Sequence, residues 1–373
     1  MINRFIYGIA TLAPFPDKKD GHPDMSAWNR RLIYAFQGGV GIGHWQGSPS
    51  LGTMLYHDGL SRGYAIAYST GNRTSTQYNL LLGEETAMMV KDHFVKMYGK
   101  PDYTVGVGGS GGAIQQYVYG QNHPGLLDAA IPQYSYSDMV TQTIYVGDCE
   151  LLEYYFDVTD AANPRWATWT NRTLIEGMAA SATVRNPWRG NARGSTECIN
   201  GWRGLTPLAF NPKYVSAGYL PFLAQFPAEV VAAVKWTHWD DARNVYGVDD
   251  TGHGRNTWDN VGVQYGLEAL LGGAIAKQEF LDLNARIGGW KHPSQMVLEN
   301  YPWKPDAPPS TFDPWDRLNI NLSPDGVTPA PRTTGDVEGM RRAYRAGHVF
   351  AGRIEIPIID LRHYLEPVLA MHH

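Results

Sequence analysis

The chain has 373 residues, 43% hydrophobic and 18% charged, which is enough apolar mass for a sizeable core and excludes an intrinsically disordered chain. The 31 Lys and Arg against 36 Asp and Glu give a net charge of −5 with no basic stripe, which argues against a nucleic-acid partner. The longest apolar runs, such as Val230–Val234 and Gly262–Ile275, are too short or too broken by glycine to span a bilayer, so no membrane partner is expected.

The N-terminal stretch Ile2–Leu12 reads as an amphipathic strand leading into the loop Pro14-Phe15-Pro16-Asp17. It lacks the small-x-small cleavage pattern of a signal peptide, and a chain that begins inside a strand pattern suggests a piece of a longer gene. Short strands and helices then alternate. Arg31–Phe36 is a β-branched and aromatic strand running into the glycine-rich turn Gln37–Gly43. Tyr64–Ser69 is a second buried strand. Glu84–Tyr98 is expected to be a helix, with Met88, Met89, Phe94 and Met97 recurring near a 3.6-residue period; Met88 and Met89, like most of the Trp-rich stretch, are expected to be core. Tyr103–Val107 is a strand, Gly111–Tyr119 a helix and Leu126–Pro132 another strand. This β–α–β–α–β order implies a mostly parallel sheet with helices on both faces.

From Met139 to Gly347 the pattern changes. Ten of the 12 tryptophans lie between Trp166 and Trp315, and the helical stretches Ala228–Trp236 and Val263–Ile275 are separated by long irregular segments. Ile354–Leu361 then returns to a largely apolar strand, as though the chain re-enters the sheet. The expected organisation is a core of residues 1–138 and 348–373 interrupted by a cap at 139–347, placed over the carboxyl edge of the sheet near Ser110. The acidic pairs Asp240-Asp241 and Asp249-Asp250 do not meet the alternating-ligand spacing of a calcium loop and read as solvated charges. No metal site and no cofactor are expected.

Two cysteines, Cys149 and Cys198, are too few for a zinc cluster. They form either one disulfide, which suits an extracellular or periplasmic enzyme, or two separate buried thiols.

The sharpest motif is Gly108-Gly109-Ser110-Gly111-Gly112, a G-x-S-x-G pattern between a strand and a helix. Glycines are needed there because the strand reverses abruptly into the helix, leaving the serine in a strained conformation with its oxygen exposed. The N–H of Gly111, at the helix start, is then aimed at a developing oxyanion. No Lys-Ser/Thr pair follows as in a phosphate loop, while the looser pattern Gly106-x-Gly108-Gly109-x-Gly111 leaves a dinucleotide reading open. Gly38 and Gly39, after the first central strand, suit a second oxyanion donor, and His44 and Trp45 follow as candidate substrate-binding residues.

With these residues the chain resembles the tannase and feruloyl-esterase type of α/β-hydrolase: Arg62-Gly63-Tyr64-Ala65, the elbow, and Asp128-Ala129-Ala130-Ile131-Pro132 look like its corresponding segments. Gly201–Leu208 and Trp258–Leu267 resemble a bacterial branch of hydrolase-like proteins. The resemblance implies an α/β-hydrolase-like sheet, a large Trp-rich cap, and a chain lacking the last strand. It also implies an acid and a histidine after Ser110. Within Ile356–Pro367, Glu366 and Asp360 are the candidate acids. His372 is the candidate base from an unusual position, with His253 and His238 behind it.

The expected function is that of a serine esterase forming a Ser110 acyl-enzyme on a small-molecule or polymeric ester, aromatic esters included. The alternative is a hydrolase-like binding module whose triad is incomplete. Oligomeric state and acyl specificity are not legible in the sequence.

Overall fold

The computed structural model describes residues 4–13, 24–39, 46–177, 211–212, 227–229, 238–297 and 317–362. They fall into two compact units, residues 1–139 with 344–362 and residues 140–343 with 363–373.

The first unit is built on a five-stranded sheet of order β1-β3-β2-β4-β5. Its strands are β1 (Tyr7–Ala10), β2 (Arg31–Gln37), β3 (Ala65–Arg73), β4 (Tyr103–Gly109) and β5 (Ala129–Gln133). β1 is antiparallel to β3, and every other pairing is parallel. β3 is buried over eight consecutive residues, as a parallel strand covered on both faces must be. Leu32, Tyr34 and Phe36 of β2 and Ala65–Tyr68 of β3 are fully or almost fully buried and form the centre of the core. The β2–β3 register slips between Ala35 and Gln37, and this irregularity turns the chain out of the sheet at Gly38.

Two one-turn helices, α1 (Leu51–Met54) and α2 (His57–Leu60), precede β3. The long helices α3 (Leu80–Tyr98) and α4 (Gly111–Asn122) follow β3 and β4. α3 starts four residues earlier than the sequence pattern suggests. Asn79 caps it, its side chain accepting from Leu82 N at 2.8 Å. Its buried residues are Leu80, Gly83, Glu84, Thr86, Ala87, Val90 and Phe94, while Met88 and Met89 are exposed, as is Met97, so the expected Met88-Met89 pair is not core.

The returning segment joins β5 as an irregular parallel edge. Ala130 N donates to Pro357 O, Ile359 N to Ala130 O, Leu361 N to Pro132 O and Tyr134 N to Leu361 O. Only isolated bridges result, at Ala130–Ile358 and Gln133–Leu361. The physical reason is a proline on each side: the ladder needs an N–H at residue 132 to reach Ile359 O and another at residue 357, and neither exists.

In the second unit α5 (Met139–Tyr154) continues through one π-helical turn, Tyr155–Thr159, and a 3₁₀ turn, Pro164–Ala167, into α6 (Trp169–Glu176). α7 (His238–Tyr246), α8 (Leu267–Leu271), α9 (Lys277–Arg286) and α10 (Val337–Arg345) follow, with the short antiparallel pair β6 (Gly289–Trp290) and β7 (Ile320–Asn321). The expected helix Val263–Ile275 shrinks to five residues because Gly266 and Gly273 take φ of 78° and 70°, outside the helical region. The helix expected at Ala228–Trp236 lies largely outside the described residues. Trp166, Trp169, Trp258 and Trp290 are each no more than 2% exposed and form the core of this unit. Cys149 on α5 is disulfide-bonded, and Cys198, the only other cysteine of the sequence, lies outside the described residues.

Candidate active site at the β4–α4 elbow

Ser110 joins β4 to α4 with φ 56° and ψ −121°, one of three described non-glycine residues at positive φ. Its N–H donates to Gln133 O of β5 at 2.9 Å, and its carbonyl accepts from Ala113 N at 2.8 Å. Its side chain makes no capping hydrogen bond to the helix it starts. The surrounding glycines are required by close approach. A Cβ on Gly108 would stand 2.2 Å from Phe36 O, and one on Gly111 would stand 2.0 Å from Thr74 Oγ1. A Cβ on Gly38 would meet Gly109 O at 2.7 Å and both Gly111 N and Ser110 Cβ at 2.9 Å. Gly39, at φ 123°, has its carbonyl fixed by Thr74 Oγ1 at 2.7 Å. Gly38, Gly39, Ser110 and Gly111 therefore share one end of the sheet.

Two buried glutamines on α4 hold these loops together. Gln115 Nε2 donates to Gln37 O and Gly111 O, each at 3.1 Å, tying the end of β2 to the elbow helix. Gln116 Nε2 donates to Gly108 O at 3.0 Å and Gly112 O at 2.9 Å, while its Oε1 accepts from Ile131 N at 3.0 Å. The donors satisfy carbonyls that the abrupt turn would otherwise leave buried and unpaired.

Asp360 ends the returning segment beside β5. Ser135 Oγ lies 2.7 and 2.8 Å from its two oxygens, and Tyr117 OH and Arg362 Nε reach Oδ2 at 3.0 and 2.9 Å. Burial pushes this carboxyl up, but the hydrogen bonds from Ser135, Arg362 and Tyr117 outweigh it and hold it below the usual carboxylate range. His44, Trp45, Glu366 and His372 lie outside the described residues.

Over residues 1–373 the chain matches the model of a tannase-like family of unknown function (DUF6351). The chain belongs to that family. No protein with a curated description matches it. Among solved structures it is similar to a Staphylococcus aureus subsp. aureus Mu50 protein with unknown function, at 17% identity and a TM-score of 0.27, covering 47% of this chain and 53% of that one. It is also similar to Pyrococcus horikoshii acylaminoacyl peptidase, at 15% identity and a TM-score of 0.26, covering 38% and 22% of the two chains. Oligopeptidase B from Trypanosoma brucei is similar at 18% identity and a TM-score of 0.24, covering 37% and 21%. The chain thus spans about half of the first structure and about a fifth of the other two. The fold of this tannase-like chain is α/β with a mostly parallel sheet.

The tannase-like chain also holds polar groups that sequence reasoning missed. Ser135 and Tyr117 at Asp360 carry no local signal, because Ser135 lies 225 residues from its partner in sequence. In the second unit Asp249 is not a solvated charge. Its Oδ1 accepts from Thr251 N, Thr251 Oγ1 and His253 N at 2.8, 2.7 and 3.1 Å, and its Oδ2 meets His292 Nε2 at 2.7 Å. His292 Nδ1 stands 2.8 Å from Ser294 Oγ. Burial pushes the Asp249 carboxyl up, yet these hydrogen bonds prevail and bring it down to about 2, so it stays ionised. His253 Nδ1 packs on Thr251 Oγ1 at 2.9 Å and stabilises that turn.

Proposed function

We propose that the protein is a serine hydrolase of carboxylic esters, with Ser110 as the nucleophile. The observation that carries the reading is the backbone of Ser110, held at φ 56° between β4 and α4 with Gly38 packed against Gly111 N. Membership of a tannase-like family supports a hydrolase. The ester as the bond cleaved is our own step from the elbow's chemistry.

In this reading Ser110 Oγ attacks the ester carbonyl while its proton passes to a histidine base. The base is assigned to His372, outside the described residues. The N–H groups of Gly111 and of Gly38 or Gly39 receive the oxyanion. The alcohol leaves with the proton, and water then cleaves the Ser110 acyl ester to release the acid. Asp360 serves as the orienting acid in preference to Glu366, because it ends the segment that extends the sheet beside β5 and stays ionised. The substrate is a small-molecule or polymeric ester, aromatic acyl groups included, met by His44 and Trp45. The enzyme works outside the cytoplasm, a place that the disulfide at Cys149 suits. The test is labelling by a fluorophosphonate and turnover of p-nitrophenyl acetate and butyrate. Both are expected in the wild type and absent in Ser110→Ala; equal labelling of the two would remove Ser110 from the role.

A further inference from the structure

In the second unit a cleft of about 570 Å³ opens between α5, the end of α6 and residues 263–268. Leu152, Leu174, Val263 and Leu267 give it an apolar wall, and Tyr145 and Tyr265 add aromatic surface. Three carboxylates, Asp148, Glu176 and Glu268, line it as well, and among its described lining residues there is no Lys, Arg or His.

Asp148 is the group these surroundings do not complete. Tyr265 OH donates to its Oδ1 at 2.6 Å, and that hydroxyl is fixed in turn by Asn260 Nδ2 at 3.2 Å. Asn260 is itself held by Thr333 N and Gly288 O at 2.8 and 2.9 Å, so the donor on Oδ1 is rigid. Oδ2 accepts no hydrogen bond from a described residue. Arg332 lies 4.9 Å from the Tyr265 ring centroid and donates to Asn284 O, and it acts on Asp148 through its charge without giving Oδ2 a hydrogen bond. The cleft therefore presents a half-desolvated anion with one free oxygen beside an apolar wall.

We propose that this cleft binds a small organic ammonium ion whose N–H donates to Asp148 Oδ2 and whose apolar body lies along Leu174 and Val263. An anionic ligand would bring like charge against three carboxylates. A neutral ligand without a donor would cover Asp148 and leave Oδ2 without a hydrogen bond, which is the costly outcome in a desolvated site. A cation supplies both the charge and the missing donor. The site lies wholly within the second unit, and neither it nor its test depends on Ser110.

Calorimetric titration of the whole protein with benzylamine, benzyl alcohol and benzoate tests this. Benzylamine is expected to bind at least about ten-fold more tightly than either of the other two, which share its ring but not its charge. Asp148→Asn, which keeps the shape and removes the charge, is expected to weaken benzylamine about ten-fold or more. Leu174→Trp, at an exposed position on the wall, is expected to weaken it similarly by filling the cleft, without lowering the unfolding temperature. Burial raises the Asp148 carboxyl to about 6 against the pull of Tyr265 and Arg332. Lowering the pH to one unit below that value should weaken benzylamine about ten-fold while the ligand stays charged. Equal binding of benzyl alcohol or benzoate would overturn the ammonium assignment. Benzylamine binding that is absent at ~10 mM, near the weak end of specific recognition, or unchanged in either variant, would overturn the site.

Discussion

Gly38 is pressed against Ser110: a Cβ on Gly38 would stand 2.9 Å from the Ser110 Cβ and from Gly111 N. The two loops proposed to supply the oxyanion donors thus meet at Gly38, against both the backbone and the Cβ of the elbow. Gly38→Ala must push the elbow away, because the atoms it meets include Gly109 O at 2.7 Å, which cannot rotate aside. Displacing one oxyanion donor typically lowers kcat by about 10²–10³. We expect a loss of that order in p-nitrophenyl ester turnover by Gly38→Ala, with KM little changed. Gly52→Ala is the control, since nothing lies within 4 Å of its added carbon. Equal activity in the two variants would separate Gly38 from the chemistry.

The strain at Ser110 makes a prediction about stability. A non-glycine residue held in a sparsely populated backbone region costs on the order of 1–3 kcal/mol, and glycine escapes that cost. Ser110→Gly and Ser110→Ala both delete the hydroxyl, but only the glycine relaxes φ 56°. In denaturant unfolding, Ser110→Gly is therefore expected to be more stable than Ser110→Ala by about 1 kcal/mol or more. The reverse order would show that the elbow is not strained.

Much of the first unit was legible because its residues obey local rules. The Gly108–Gly112 motif, the buried strands and the parallel order follow from glycine spacing and apolar runs. α5 was not legible. Val146, Cys149, Leu151, Leu152 and Tyr154 are all buried, together with Glu150 and Glu153, so the helix has no polar face to give it a period. The methionines of α3 misled in the opposite way, since a 3.6-residue recurrence does not say which face is inward. The stripe that faces the sheet includes the carboxyl of Glu84. Long-range polar pairs are the hardest case. Asp360 with Ser135, Asp249 with His292 and Asp148 with Tyr265 are joined by topology, and no local spacing encodes them.

Glu84 carries a pH dependence of its own. Burial inside α3 raises its carboxyl from 4.5 to about 8, against a weaker opposing hydrogen bond from Asn122, and His123 Nε2 lies 3.5 Å from its Oε1 at the surface. The folded state thus binds the proton more tightly than the unfolded chain. The stabilisation is complete below about pH 4.5 and is lost progressively as pH rises through 8. The wild type should lose more stability than Glu84→Gln between pH 5 and pH 8, because the amide cannot ionise. Parallel unfolding curves for the two proteins across that window would refute the assignment.

Arg172 of α6 is buried with its Nη1 2.6 Å from Glu153 Oε2 and its Nη2 2.5 Å from Asp157 Oδ1, and it lies 5.3 Å from the Trp169 ring centroid. Removing one member of a buried charge cluster leaves the others uncompensated, at about 3–5 kcal/mol. Arg172→Met is expected to destabilise the second unit by that amount in denaturant titration. Arg172→Lys should recover part of the charge but not the two-pronged geometry. A loss below about 1 kcal/mol for Arg172→Met, the range of surface pairs, would mean that the carboxylates find other donors.

The last prediction separates Asp360 from Glu366 as the orienting acid. Asp360 is held ionised chiefly by Ser135, whose hydroxyl reaches both of its oxygens, against the upward push of burial. Deleting that hydroxyl leaves burial less opposed, so the carboxyl should titrate at higher pH in Ser135→Ala. If Asp360 orients the base, the acid limb of kcat/KM for p-nitrophenyl acetate moves to higher pH in Ser135→Ala, while activity on the plateau is largely kept. Asp360→Asn should lower kcat by up to about 10⁴ across the whole range, as loss of the orienting acid does in serine hydrolases. Glu366→Gln should then leave both the limb and the plateau in place. A merely structural Asp360 would give a different pattern: lower unfolding temperatures in Asp360→Asn and Ser135→Ala, with the acid limb unmoved.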